Sequence, residues 1–375
     1  MISRFYDDLF DNYLVPNKVL VIYGPRQVGK TTLVSTFLKT YSGKVYSSSG
    51  ENRQLQTVLA SNDFSRIIPY FSDYDLVVID EAQRIENIGQ GLKIIVDQIP
   101  NIRVIATGSS SFDLSNKIGE PLVGRQIVKR LFPVSVMELV ENYGRAYVWD
   151  NLDNLLTFGA YPEVLTAVSL TQKKEYLTQL RDSYLYKDIL ELENIRASKK
   201  ILDLLRLIAY QIGQQVSLQE LGNALDMSKN TVARYLDLLE KSFVLINIGG
   251  FSRNLRKEIT KTSRYYFYDL GVRNAVINNF SYPDERNDRG QLWENFLFIE
   301  RMKKAAYQQL FANFYFWRTW DRQEIDLVEE RDGKLFGYEF KAGHKSPKAP
   351  KLWLNTYPEA TYEVINRDNF MTFVT

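Results

Sequence analysis

The chain of 375 residues contains no cysteine and one histidine, His344. Disulfides, thiol nucleophiles and Cys/His zinc sites are thereby excluded. Catalysis has to come from carboxylates, Lys, Arg, hydroxyls and any metal they hold. Long apolar runs are also missing, and none approaches the roughly 18 residues of a membrane helix. The opening, MISRFYDDLFDNYL, carries acids where a secretory signal would be basic and then apolar. A cytoplasmic location with no membrane contact is expected. Neither charge sign prevails: 47 Lys+Arg face 45 Asp+Glu, a net +2. A nucleic-acid partner would have to be met by a local basic patch. With no low-complexity tract, 45% hydrophobic and 25% charged residues describe a folded protein, long enough for two or three domains.

What is present begins at KVLVIY (18–23), a short apolar run read as a buried strand. Gly24-Pro25-Arg26-Gln27-Val28-Gly29-Lys30-Thr31 follows and fits G-x-x-x-x-G-K-[ST]. The helical pattern TLVSTFLKTY, opening at Thr32, completes strand, glycine loop and helix. Glycines let backbone N–H groups turn inward around phosphates, and the helix amino terminus adds its positive end. Lys30 is expected to reach the β- and γ-phosphates, and the Thr31 hydroxyl to ligate Mg²⁺. A second buried strand, DLVVI (75–79), ends in Asp80-Glu81. Asp80 is assigned to the metal and Glu81 to the attacking water. A third, IRVIAT (102–107), leads to Ser109, expected between the other two strand ends near the γ-phosphate. With KVYSSS (44–49) and QIVKRLF (126–132), strands alternating with helices predict a covered parallel sheet with its ligand at the strand carboxyl ends.

GPRQVGKTTL, LVVIDEAQRI, VIATGSSS and GRQIVKRLFPVSVMEL together resemble the prokaryotic AAA+-type ATPases of the archaeal-ATPase-like group. The resemblance implies ATP rather than GTP, with Glu81 as catalytic glutamate. It also implies an arginine acting on the γ-phosphate, from the same or a neighbouring subunit, with Arg125 and Arg130 as candidates.

Residues 141–198 read as a helical lid or connector, including FGAYPEVL (158–165) and an amphipathic pattern over 176–193. Residues 199–281 read as three helices and a β-hairpin, the winged helix-turn-helix order. Ser217 and Glu220 form a capping box before the second helix. Lys229, Asn230, Thr231 and Arg234 would enter a DNA major groove, or the module packs between domains. Loop 250–264 holds Arg253, Arg256, Lys257, Lys261 and Arg264 against Glu258, a patch suited to phosphates or simply to solvent. YPDERNDRG (282–290) is read as a linker.

The last segment, 282–375, reads as a helix carrying Glu294, then strands NFYFWRTW and QEIDLVEE, an Asp332-Gly333 turn, and KLFGYEFKA. Period two puts Glu339 and Lys341 on one face. Asp326 and Glu339 could hold Mg²⁺, Lys341 could activate water, and Glu294 could orient the metal through water. This constellation resembles the PD-(D/E)XK nuclease fold. The order GQLWENF, YFWRTWDRQEIDLV, YEFKAG also resembles the carboxyl-terminal domain of unknown function fused to the ATPases named above. The expected fold is therefore α/β: a P-loop ATPase domain (1–140), connector (141–198), winged helix (199–281) and nuclease-like domain (282–375). Two functions stay open. One is an Mg²⁺-dependent ATPase coupled to DNA binding or cleavage. The other is an ATP-dependent switch that binds DNA, a protein or its own copies without cutting.

Overall fold

The computed structural model describes residues 2–109, 121–183, 198–252, 263–320 and 323–375. They form two compact units. The first is Met1–Pro133 with Lys241–Phe243, and the second is Val134–Glu240 with Val244–Thr375.

The first unit is built on strands β1 (Val19–Tyr23), β2 (Val45–Ser49), β3 (Leu76–Asp80), β4 (Arg103–Gly108) and β5 (Gln126–Arg130). All are parallel, in the order β2-β3-β4-β1-β5. The three inner strands are near-continuous apolar runs buried on both faces, while the outer β2 and β5 carry polar, half-exposed residues. That is the pattern of a parallel sheet covered by helices. Helices α1 (Lys30–Leu38), α2 (Arg53–Ala60), α3 (Phe64–Phe71) and α4 (Ile88–Gln98) supply the cover. Asn52 caps α2 and Asp63 caps α3 through their side chains, each worth about 1 kcal/mol. Leu55, Leu59, Ile67, Phe71, Leu92 and Ile95 pack on Val77, Ile79 and Val104 with no exposure to water. Inserting β4 between β1 and β3 brings the carboxyl ends of these three strands side by side.

The second unit opens with α5 (Val136–Asp150), closed at its start by a reciprocal Ser135–Glu138 capping box. Next come α6 (Leu152–Phe158), α7 (Leu170–Leu180), α8 (Ser198–Tyr210), β6 (Gln215–Val216), α9 (Leu218–Leu225), α10 (Lys229–Lys241), β7 (Leu245–Gly249) and β8 (Ser263–Phe267). Strands β6, β8 and β7 form an antiparallel sheet in that order. After α11 (Leu270–Val276), the long α12 (Arg289–Tyr307) packs on β8 and β11 (Lys334–Phe340). A mixed sheet follows in the order β12-β11-β10-β9, made of β9 (Asn313–Arg318), β10 (Glu324–Arg331), β11 and β12 (Thr361–Ile365). Strand β10 is antiparallel to β9 and β11, and β12 is parallel to β11.

Segment 282–290, read as a linker, is held by contacts of its own. Pro283 is buried, and Asp288 accepts ion pairs of 2.7 Å from both Arg273 and Arg286. The segment is pinned inside the second unit. No helix among the described residues is long and apolar enough to cross a membrane.

Candidate functional site

In the first unit the glycine loop leaves β1 and enters α1. Gly24 has φ +156°, and a Cβ there would lie 2.0 Å from the Leu131 carbonyl oxygen, so only glycine fits this crossing. Gly29 occupies the left-handed region at φ +96° as the cap of α1 and offers no side-chain oxygen to its first amides. Thr31 and Thr32 are exposed at the mouth. The Lys30 ammonium is buried and donates to the carbonyls of Gly24 and Pro25, both at 2.8 Å. Burial lowers its pKa to about 8, against the pull of Glu81 and Asp80.

Loop and acid pair meet directly. The Thr31 hydroxyl donates to Asp80 Oδ2 at 2.8 Å. The Thr107 hydroxyl, on β4, donates to Asp80 Oδ1, and the Glu81 amide lies 3.2 Å from both Asp80 Oδ1 and Thr107 Oγ1. Glu81 itself is left-handed at φ +49°, a conformation that is strained for this residue type and turns its side chain off the strand line. Its Oε2 accepts from Ser109 Oγ at 3.0 Å and from Gln83 Nε2, which also reaches Ser109 at 3.1 Å. Asp80 and the Thr31 hydroxyl supply hard oxygens, and magnesium needs only one or two protein ligands beside phosphate and water. The donor set fits that ion.

The two candidate arginines separate. Arg125 precedes β5 at the amino-end edge of the sheet, where its carbonyl receives Val19 N–H and its guanidinium pairs with Asp97 at 2.5 Å. The loop lies past the opposite ends of these strands, so Arg125 does not reach it. Arg130 ends β5 and donates to the Tyr23 hydroxyl at 3.2 Å, beside the loop. Sequence reading missed Thr107 and Gln83. Thr107 is an ordinary strand threonine until the strand order brings it against Asp80, and Gln83 reaches Glu81 through the 3-10 turn Ala82–Arg84 that follows the acid pair.

The second unit gathers its carboxylates differently. Asp326 sits where β10 slips register against β9, between Ile325 and Val328. Such a bulge re-aims a side chain, and Asp326 Oδ2 accepts the Phe340 amide at 2.8 Å. Lys341 donates to Glu339 Oε1 at 2.5 Å, as the shared face requires. Into this cluster comes Arg264 of β8, 2% exposed. It pairs with Glu324, with Glu294 at 3.4 Å and with Asp326 at 3.8 Å, and lies 4.5 Å over the Phe316 ring. Tyr266 donates to Glu294 at 2.6 Å. Gly213 is so close that a Cβ there would lie 2.9 Å from Glu294 Oε1.

Burial, then the Asp326 charge, pushes Glu294 up to about 8 and Glu339 up to about 7. Asp326 is raised as well, chiefly by burial. Burial alone would lower Arg264, but Tyr266, Glu294, Glu324 and Asp326 outweigh it and hold the guanidinium charged. Among the described residues no group of three His, Cys, Asp or Glu side chains is arranged to hold a metal ion. A cationic side chain, Arg264, thus sits among Glu294, Glu324 and Asp326. Arg264, expected on a phosphate-gripping loop, is instead turned inward. Arg253, Arg256, Lys257 and Lys261 lie outside the described residues.

The face of α10 is divided. Lys229, Asn230 and Arg234 are exposed and Thr231 half-buried, while Val232, Tyr235, Leu236 and Leu239 are buried.

Residues 16–140 match a family model described as an AAA domain. Residues 150–282 and 289–371 match two domains of unknown function, DUF8612 and DUF4143. An uncharacterized protein of Mycobacterium tuberculosis is 27% identical over 329 residues, covering 86% of this chain and 70% of its own. One of Methanocaldococcus jannaschii is 25% identical over 311 residues, 78% of this chain and 68% of its own. Among solved structures, replication initiator DnaA bound to AMPPCP and single-stranded DNA aligns over 64% of this chain and 90% of its own, at 16% identity and TM-score 0.30. The parallel sheet, the glycine loop and the AAA match support a P-loop ATPase domain in the amino-terminal third.

Proposed function

We propose that the chain is a magnesium-dependent ATPase acting as a switch, whose second unit binds a partner, DNA foremost, without cutting it. The observation that carries the non-cutting half is Arg264 seated among Glu294, Glu324 and Asp326. A nuclease centre needs its carboxylates free for a metal, and here a buried guanidinium neutralises them.

In the first unit the loop amides from Gly24 to Lys30 would cradle the phosphates, with Lys30 swinging from its carbonyl partners onto the β- and γ-oxygens. Magnesium held by Thr31 and Asp80 would neutralise charge between those phosphates. Glu81, steadied by Ser109 and Gln83, would orient the attacking water and take its proton. Arg130 is the better placed of the two arginines to approach the γ-phosphate, and a second copy of the chain remains a route for one in trans.

Helices α9 and α10 with the β7–β8 hairpin are read as a winged helix-turn-helix. Support comes from the solvent-facing Lys229, Asn230 and Arg234. The nuclease reading retains one supporting observation, the adjacent Glu339 and Lys341 beside Asp326. The test is ATP turnover with and without DNA, run beside plasmid and single-strand cleavage in Mg²⁺ or Mn²⁺. Turnover stimulated by DNA, with no cleavage, is expected. Cleavage by the parent that disappears in Lys341→Ala would restore the nuclease.

A further inference from the structure

The segment before β1 carries no motif, yet it reaches the phosphate loop. Arg4 is 9% exposed, a burial that charged residues reach when they are paired. Its Nη1 donates to the Val28 carbonyl at 2.5 Å and its Nη2 to the Phe132 carbonyl at 2.7 Å. Its own amide donates to Asp7 Oδ2 at 2.7 Å, so the backbone holding the side chain is also fixed. Around it Tyr6 is buried, and Phe10 stacks on Phe37 of α1 with ring centroids 4.6 Å apart.

Val28 and Gly29 share one peptide unit. A trans peptide is planar, with its C=O and N–H pointing in opposite directions. Fixing the Val28 carbonyl on Arg4 therefore fixes the Gly29 N–H away from Arg4. This matters because Gly29 has φ +96° and no side chain to resist a flip of that unit. The same guanidinium ties the unit to Phe132, just beyond β5. At the other shoulder of the loop, Gly24 already abuts Leu131. Both ends of the cradle are thus referred to one rigid strand exit.

Resting on the nucleotide reading above, we infer that Arg4 is a positioning residue of the nucleotide site. It sets the direction of the Gly29 amide, so that this donor faces the phosphates before they arrive. Preorganised donors gain affinity because no reorientation is needed on binding.

The test uses the full chain, with ATP and ADP affinity by calorimetry and steady-state turnover, for Arg4→Ala, Arg4→Lys and the control Lys30→Ala. Arg4→Ala should raise Kd for both nucleotides and KM for ATP by about tenfold, the scale of one charge-assisted hydrogen bond. Its kcat should stay within about threefold, since the acid pair is untouched. Arg4→Lys, with a point charge able to serve one carbonyl well, should fall between. A merely structural role would lower the melting temperature without moving KM. If a folded Arg4→Ala binds like the parent while Lys30→Ala does not bind, this inference is overturned and the nucleotide reading stands. If Lys30→Ala also binds like the parent, the nucleotide reading itself fails. Should Arg4→Ala not fold, Arg4→Lys decides: parent-like Kd and KM overturn the inference, and a several-fold rise supports it.

Discussion

Each unit gathers a group of carboxylates, yet the two groups meet partners of opposite kinds. Asp80 and Glu81 are met by three hydroxyls and a carboxamide: Thr31, Thr107, Ser109 and Gln83. None of these carries charge; a cation the pair acts on, the Lys30 ammonium, donates to the Gly24 and Pro25 carbonyls and not to the acids. Glu294, Glu324 and Asp326 face Arg264, and Glu339 faces Lys341. On the function proposed above, their field is spent inside the protein.

The largest effect should come from the first group. Glu81→Gln is expected to bind ATP within a few-fold of the parent and to turn it over about 10²- to 10⁴-fold more slowly, the usual share of a general base. Lys341→Ala should leave turnover unchanged. A large fall with Lys341→Ala, in steady-state kinetics, would break the separation between the two acid groups.

Arg264→Ala comes next. Removing one partner of a buried ion pair leaves uncompensated charge and costs about 3–5 kcal/mol. Urea unfolding should register that loss, and adding Glu294→Gln should recover part of it. An Arg264→Ala protein as stable as the parent would mean the guanidinium neutralises nothing.

The smallest effect is on pH dependence. Glu294 and Glu339 have pKa values raised in the folded state to about 8 and about 7. The folded state therefore binds protons more tightly than the unfolded chain. Their stabilising contribution is complete below the ordinary glutamate range, near pH 4.5, and is lost as pH rises to about 8. The melting temperature should be a few degrees higher at pH 5.5 than at pH 8.5, and the difference should shrink in Glu294→Gln. A melting temperature that rises with pH over this window would contradict the raised values.

The nucleotide loop was legible because its chemistry is local. Gly24 to Thr31 lie in one stretch, and strand, loop and helix periodicities flank them. The partners of the acid pair were not. Thr107 becomes a neighbour of Asp80 only through the insertion of β4 beside β3, and strand order leaves no mark in a single sequence; Gln83, two residues after Glu81, reaches it through the short 3-10 turn that follows the acid pair. Arg4 gave no signal, being one arginine in an acidic stretch. The elements of the last segment were readable from alternation, including the Glu339–Lys341 face. Arg264 was misread for a physical reason. Alternation tells inside from outside only when one face is wet, and in β8 Arg264, Tyr265, Tyr266 and Phe267 are all buried. Its position after a run of basic residues then suggested solvent. The bulge at Asp326 was equally silent, since nothing in QEIDLVEE marks an extra residue.

The most direct test is a Mn²⁺ titration of the full chain, followed by electron paramagnetic resonance of the free ion, with and without ATP. Uptake of one ion per chain is expected only in the presence of ATP, lost in Asp80→Asn and unchanged in Asp326→Asn. Tight uptake without nucleotide that vanishes in Asp326→Asn would contradict the account, because the cluster around Arg264 would then be open to a metal.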